Sequence, residues 1–114
     1  PFGDHVLRAI GGVLKEVTPQ DCLAARIGGE EFAVLIPSRS LTQARALAET
    51  VRTRVAATQL RRPGPDTDTT RVTISIGLTL FRPGENGTAF MERADQALYV
   101  SKDSGRDRVT VLAG

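Results

Sequence analysis

Apolar residues in the first stretch of the chain fall at helical spacing. Leu7, Ile10, Leu14 and Val17 recur every three or four positions, and Val6 and Val13 widen the stripe, so residues 3–17 are predicted to form an amphipathic helix. Asp4 is placed to cap its N-terminus, and Thr18-Pro19 to stop it. Gly11-Gly12 in the helix interior cost roughly 1 kcal/mol each against Ala, and a close packing contact is their simplest reading. Two short apolar runs follow, 23–27 and 30–36, separated by Gly28-Gly29. That separation predicts a β-hairpin, because a tight two-residue turn needs positive φ and Gly adopts it without strain. A tight turn would set Ile27 opposite Glu30, Arg26 opposite Glu31 and Ala25 opposite Phe32.

Ser40-Leu41-Thr42-Gln43 reads as a capping box, and Leu41, Ala44, Leu47, Ala48, Val51 and Val55 mark a second helix to about Thr58. Arg61-Arg62-Pro63-Gly64-Pro65-Asp66 is a loop by composition. Residues 71–80 alternate, with Val72, Ile74, Ile76, Leu78 and Leu80 on one face and Thr73, Ser75, Gly77 and Thr79 on the other, which predicts one continuous strand. Arg82 to Gly87 is a turn. A last helix begins at Thr88 with Phe90, Met91, Ala94, Ala97, Leu98 and Ser101 inward, Gly105 suits its C′ position, and residues 108–112 form a closing strand. This order of elements suits an α/β fold, an α+β sandwich with helices packed on an antiparallel-rich sheet.

Composition narrows the classes. At 114 residues the chain is one domain at most. The lone Cys22 cannot form an internal disulfide. No apolar run is long enough to span a membrane, and no signal peptide is visible. A net charge of +2 does not demand a nucleic-acid partner, and with no Trp, one Tyr and four Phe a base-stacking surface is poorly supplied.

Chemistry concentrates in Arg26-Ile27-Gly28-Gly29-Glu30-Glu31-Phe32. Glycines at a hairpin tip let a ligand approach the backbone, and a carboxylate beside that opening suits a hard cation carrying a phosphate. The plainer reading is a tight turn with solvated glutamates and an Arg26–Glu31 cross-strand pair. Lys102 and Arg106, one helical turn apart, could grip phosphates or could be solvated cations favoured by a helix C-terminus. His5, Cys22 and Arg61-Arg62 are assigned no role.

The string at 26–32, followed by an apolar strand and Pro37, resembles the signature of the GGDEF (diguanylate cyclase) family. Three further stretches agree in order: Gly3-Asp4-His5-Val6-Leu7-Arg8; Val72-Thr73-Ile74-Ser75-Ile76-Gly77; and Ala94-Asp95-Gln96-Ala97-Leu98-Tyr99 with Lys102 and Gly105-Arg106. The resemblance spans the chain. It implies a nucleotide-cyclase, palm-like ferredoxin-type sheet and a bacterial signalling enzyme. That enzyme condenses two GTP into cyclic di-GMP and two pyrophosphates across two facing domains, a homodimer. It implies that Glu30 is a ligand of Mg²⁺ (or Mn²⁺) and helps deprotonate the attacking hydroxyl. Gly28 and Gly29 would let the nucleotide lie against the hairpin, Asp4 would accept from the guanine edge, and Leu7 would be an apolar wall. Lys102 and Arg106 would hold the terminal phosphates. It further implies a fused sensory domain and a cytoplasmic location, with a parent protein that can be membrane-anchored but no membrane contact by this segment.

Two departures from the family pattern stand out. Its first strand, which carries a metal-binding Asp and a guanine-contacting Asn, has no counterpart here. Residues 1–114 therefore read as the C-terminal two-thirds of the domain, inactive alone, with an exposed or substituted sheet edge. The family's inhibitory Arg-x-x-Asp falls on Pro19 and Cys22, with Asp21 one residue out of register. Two other readings compete: a degenerate domain that only binds GTP or dimerises, and a ferredoxin-like RNA binder. The second would need exposed aromatics on central strands, and residues 72–80 have none.

Overall fold

The computed structural model describes residues 2–28, 31–61 and 69–112. Helix α1 (Phe2–Val17) is followed by strands β1 (Leu23–Gly28) and β2 (Glu31–Leu35), helix α2 (Leu41–Ala57), strands β3 (Gln59–Arg61), β4 (Thr69–Arg71) and β5 (Ile76–Thr79), helix α3 (Gly87–Asp103) and strand β6 (Val109–Leu112). β1 with β2 and β3 with β4 pair antiparallel, and β5 with β6 pairs parallel.

The helix ends follow local chemistry. At α2 the Ser40 side chain accepts from the Gln43 N–H at 3.1 Å and the Gln43 side chain accepts from the Ser40 N–H at 2.9 Å, the reciprocal capping box the sequence predicts. Asn86 caps α3 by accepting from the Ala89 N–H at 2.8 Å. α3 closes with Gly105 at φ 115°, and the Arg106 N–H returns to the Ser101 carbonyl at 2.9 Å, which satisfies a carbonyl the helix leaves open. Asp4 is not a cap: α1 starts earlier, and Asp4 lies exposed within its first turn, where a carboxylate favours the positive end of the helix dipole.

Ile10, Val13 and Leu14 of α1 and Val51 and Val55 of α2 form the buried core, with Val6, Val17, Phe32, Val34, Val72, Ile74 and Ile76 packed against it. The Arg54 guanidinium reaches Glu16 at 2.6 Å across the two helices. The close packing contact expected at Gly11-Gly12 is absent: a Cβ at Gly11 would sit in ordinary contact, 3.9 Å from a Phe32 ring carbon, and one at Gly12 meets nothing within 4 Å.

α3 lies on the other face of β5. Side chains alternate along a strand, so Ile76 faces α1 and α2 while Gly77 faces away from them. A Cβ at Gly77 would stand 2.2 Å from the Leu98 nitrogen and 2.5 Å from the Ala94 carbonyl oxygen. Only glycine lets the α3 backbone press this close to the strand. Fully buried Ser101 donates to the Ile76 carbonyl at 2.8 Å and meets the Thr110 hydroxyl at 2.6 Å, tying α3 to both strands. The small, polar face of the alternating segment is therefore covered by α3 at Gly77 and Thr79, while Thr73 is exposed.

Two predicted features differ. The hairpin register is shifted by one: Arg26 pairs with Phe32 and Ala25 with Ala33, and a bulge between Arg26 and Gly28 leaves Gly28 opposite Glu31. Positions 29 and 30 fall outside the described residues. The single strand over 71–80 is instead two short pieces, with Thr69–Arg71 paired to Gln59–Arg61 and Ile76–Thr79 paired to β6. Residues 72–75 carry no ladder, because a ladder needs a neighbouring strand and none of the described strands lies there; burial alternates over Val72, Thr73 and Ile74 but not at Ser75, which is half-buried like Ile74.

Candidate functional site

A cleft of about 540 Å³ runs between β2 and residues 72–79, walled by α1 on one side and α3 on the other. Its floor is apolar, with Leu14, Phe32, Val51 and Leu98 among its lining. Gly3 and Leu7 of α1 line it too, as do Lys102 of α3 and Arg106 of the turn beyond. The fold thus brings three of the predicted site residues, Leu7, Lys102 and Arg106, to one cleft. Asp4 is exposed next to Gly3 on the same helix turn. Gly28 ends β1 opposite Glu31, and Gly29 and Glu30 lie outside the described residues.

Lys102 and Arg106 do not share a helical turn as their spacing suggested. α3 ends at Asp103, and Arg106 adopts φ 65° after Gly105. Both side chains are exposed, and among the described residues neither forms an ion pair. Two uncompensated cations beside one cleft attract a polyanion.

Two ion-pair networks went unread in the sequence. Arg93 donates to both Glu85 oxygens at 2.8 and 2.7 Å and to the Thr79 hydroxyl at 2.7 Å; it also donates to the Leu80 carbonyl. The Thr79 hydroxyl donates onward to the Leu112 carbonyl at 2.7 Å. The Arg93 guanidinium, helped by the Arg82 N–H, holds the Glu85 carboxyl down to about 2. The second network joins Glu49, Arg52 and Asp107: Arg52 donates to Glu49 at 2.9 Å and to Asp107 at 2.9 Å. The only signal for either lies in the helical spacing of Glu49 to Arg52; the other partners meet only in the fold.

In the segment before β1, the Cys22 N–H closes a turn onto the Pro19 carbonyl at 3.0 Å. The Asp21 carboxylate takes two bonds from Arg39, which lower its pKa.

The family described as "Diguanylate cyclase, GGDEF domain" matches residues 1–108. The chain belongs to the GGDEF family. It is 45% identical over 109 residues to Diguanylate cyclase DgcP of Pseudomonas aeruginosa, covering 96% of this chain and 16% of that protein. It is 40% identical over 110 residues to Diguanylate cyclase A of Treponema denticola, covering 96% of this chain and 29% of that protein. The GGDEF domain of DgcB from Caulobacter crescentus, crystallised with c-di-GMP, superposes with a TM-score of 0.91 at 39% identity, over 96% of this chain and 64% of that one. SiaD of Pseudomonas aeruginosa, crystallised with its activator SiaC, gives 0.90 at 36% identity over 96% and 41%. The chain thus spans less than a third of these two curated relatives, and about two-thirds of the solved DgcB domain. The expected palm-like GGDEF fold is therefore present. Within it the motif glycine at 77 is explained by the α3 backbone pressed against it. Among the described residues no helix is long and apolar enough to cross a membrane.

Proposed function

We propose that residues 1–114 are the C-terminal two-thirds of a cyclase domain that condenses two GTP into cyclic di-GMP and two pyrophosphates. The supporting observation is the meeting of Leu7, Lys102 and Arg106 at one cleft, with both cations free of ion pairs among the described residues. Lys102 and Arg106 would hold the terminal phosphates. Leu7 would flank the base, and Asp4 would accept from its edge. Gly28 and Gly29 would admit the nucleotide to the hairpin.

In the reaction, the 3′-oxygen of one GTP attacks the α-phosphorus of the other. The new O3′–P bond forms as the bond from the α-phosphorus to the bridging oxygen breaks, and pyrophosphate leaves with that oxygen. Glu30 would take the hydroxyl proton. Ring closure needs the same step in the opposite direction, so two domains must face each other as a homodimer. Mg²⁺ or Mn²⁺ suits the donor type of Glu30 and would offset phosphate charge. Among the described residues no group of three His, Cys, Asp or Glu is placed to hold a metal, so the remaining ligands would come from elsewhere.

The cleft also supports the partial-domain reading. The edge of β2 away from β1 and residues 72–75 have no ladder partner among the described strands. The lining is mostly apolar, and the Thr18 hydroxyl is buried beside it with no hydrogen-bond partner. One further β-strand from the rest of the domain would satisfy all three. The parent protein would carry a sensory domain and work in the cytoplasm, where GTP is found.

The test is Glu30→Gln in the parent protein, with cyclic di-GMP measured by chromatography and GTP binding by calorimetry. Product should vanish while GTP binding survives in part. Wild-type turnover in the variant would remove Glu30 from the mechanism. GTP binding with no product from the unsubstituted protein would mark a degenerate binding module.

A further inference from the structure

The turn after α3 holds a backbone shape that side chains disfavour. Arg106 and Asp107 are consecutive non-glycine residues at φ 65° and 46°. Left-handed backbone brings a Cβ too close to the following carbonyl, so such residues persist only where their surroundings over-determine them. Three contacts do so here. The Arg106 N–H donates to the Ser101 carbonyl at 2.9 Å. Arg108 Nε donates to the Arg106 carbonyl at 3.0 Å. Arg52 Nη1, from α2, donates to Asp107 Oδ1 at 2.9 Å.

The first two contacts are local. The third anchors Asp107 to α2, while one residue further on the Arg108 carbonyl accepts from the Ile76 N–H of β5 at 2.9 Å. Arg52 is itself held, because its Nε and Nη2 both donate to Glu49 Oε2, at 3.1 and 2.9 Å, and its side chain is 22% exposed. A guanidinium with both edges engaged is a rigid strut between α2 and the residue next to Arg106.

We infer that Arg52 is a positioning residue for a polyphosphate tail: by gripping Asp107 it keeps the left-handed turn that sets Arg106 on the cleft. This rests on the reading of Arg106 as a phosphate ligand. Without the strut the turn relaxes toward negative φ, the Cα–Cβ bond of Arg106 swings, and its guanidinium leaves the cleft wall. Lys102 lies within α3 and stays where it is. A partly exposed ion pair adds little to global stability, so the effect falls on Arg106 placement more than on folding.

The experiment uses the parent protein with Arg52→Ala, and with Arg52→Gln as a milder variant that keeps the aliphatic packing. Affinity for GTP and for inorganic tripolyphosphate is measured by calorimetry, and amide exchange by NMR. Either variant should weaken both ligands roughly tenfold to a hundredfold, the scale of a displaced positioning group. Arg52→Lys should recover part of the loss, and Arg52→Ala should add nothing in an Arg106→Ala background. The Arg106 amide should exchange faster while the Ser104 amide, bonded to the Val100 carbonyl, does not. Unchanged Arg106 exchange, or a full affinity loss that persists without Arg106, would overturn the inference. If Arg106→Ala weakens tripolyphosphate and Arg52→Ala does not, the strut fails alone. If Arg106→Ala changes neither ligand, the phosphate reading falls and the inference falls with it.

Discussion

Glu85 and Arg93 meet in a two-bond pair, guanidinium to carboxylate, with side chains only 10% and 12% exposed. The pair clamps the turn before α3 onto the end of β5, because Arg93 also bonds Thr79 and the Leu80 carbonyl. The Glu85 carboxyl ionises at about 2, below its ordinary 4.5. A carboxylate with a depressed folded-state value stabilises fully above its unfolded value, and loses that contribution as pH falls from there through the folded value. Glu85→Gln should therefore lower Tm at pH 7, and should flatten the fall in Tm between about pH 5 and pH 2. Thermal unfolding across that range is the check; an unchanged acid limb would mean that Glu85 is not the titrating group.

Gly77→Ala should be among the most damaging single-methyl substitutions in the chain. The added carbon would meet the Leu98 nitrogen and the Ala94 carbonyl, which are backbone and cannot swing aside. Overpacking of this kind costs about 1–3 kcal/mol and occasionally more, and urea unfolding should place Gly77→Ala at the upper end. Gly12→Ala, where nothing lies within 4 Å, should instead be neutral or gain up to ~1 kcal/mol of helix propensity.

Lys102→Ala and Arg106→Ala should each weaken GTP binding by roughly 1.5–3 kcal/mol, the range for a hydrogen bond to a charged group. Neither residue has an ion-pair partner among the described residues, so apo stability should hardly change. Calorimetry and thermal unfolding on the same samples separate the two effects. Loss of stability with intact affinity would make the cations structural.

If the parent protein makes cyclic di-GMP as proposed, that product should not slow it through the region of Pro19 and Cys22. Neither side chain is a charged ligand, and the neighbouring Asp21 carboxylate is already engaged by Arg39. A dose-dependent inhibition abolished by Cys22→Ala would contradict this.

Much of the architecture was legible because it is local. The capping box at Ser40 and Gln43, the stop at Gly105, and the inward faces of all three helices depend on residues within a turn or two of each other. The ordered motifs led to the family for the same reason: they are strings. Burial was legible only in part along residues 72–80: Val72, Ile74 and Ile76 pack on the core as alternation implies, but Leu80 is exposed and Thr79 is buried, because α3 covers that face and Arg93 bonds the Thr79 hydroxyl. Pairing was not legible, because a backbone ladder depends on which strand lies alongside, and that neighbour is remote in sequence. The hairpin register moved by one for a related reason: glycines permit a turn without dictating where a bulge falls. Spacing left Lys102 and Arg106 near each other whether or not Gly105 ended the helix; the structure ends it, and the left-handed residues after Gly105 carry Arg106 to the same cleft. Tertiary structure alone brought Arg93 to Glu85 and Arg52 to Asp107, the latter 55 residues apart. Charged side chains on separate elements carry no periodic signal, and their meeting is set by how the helices pack on the sheet.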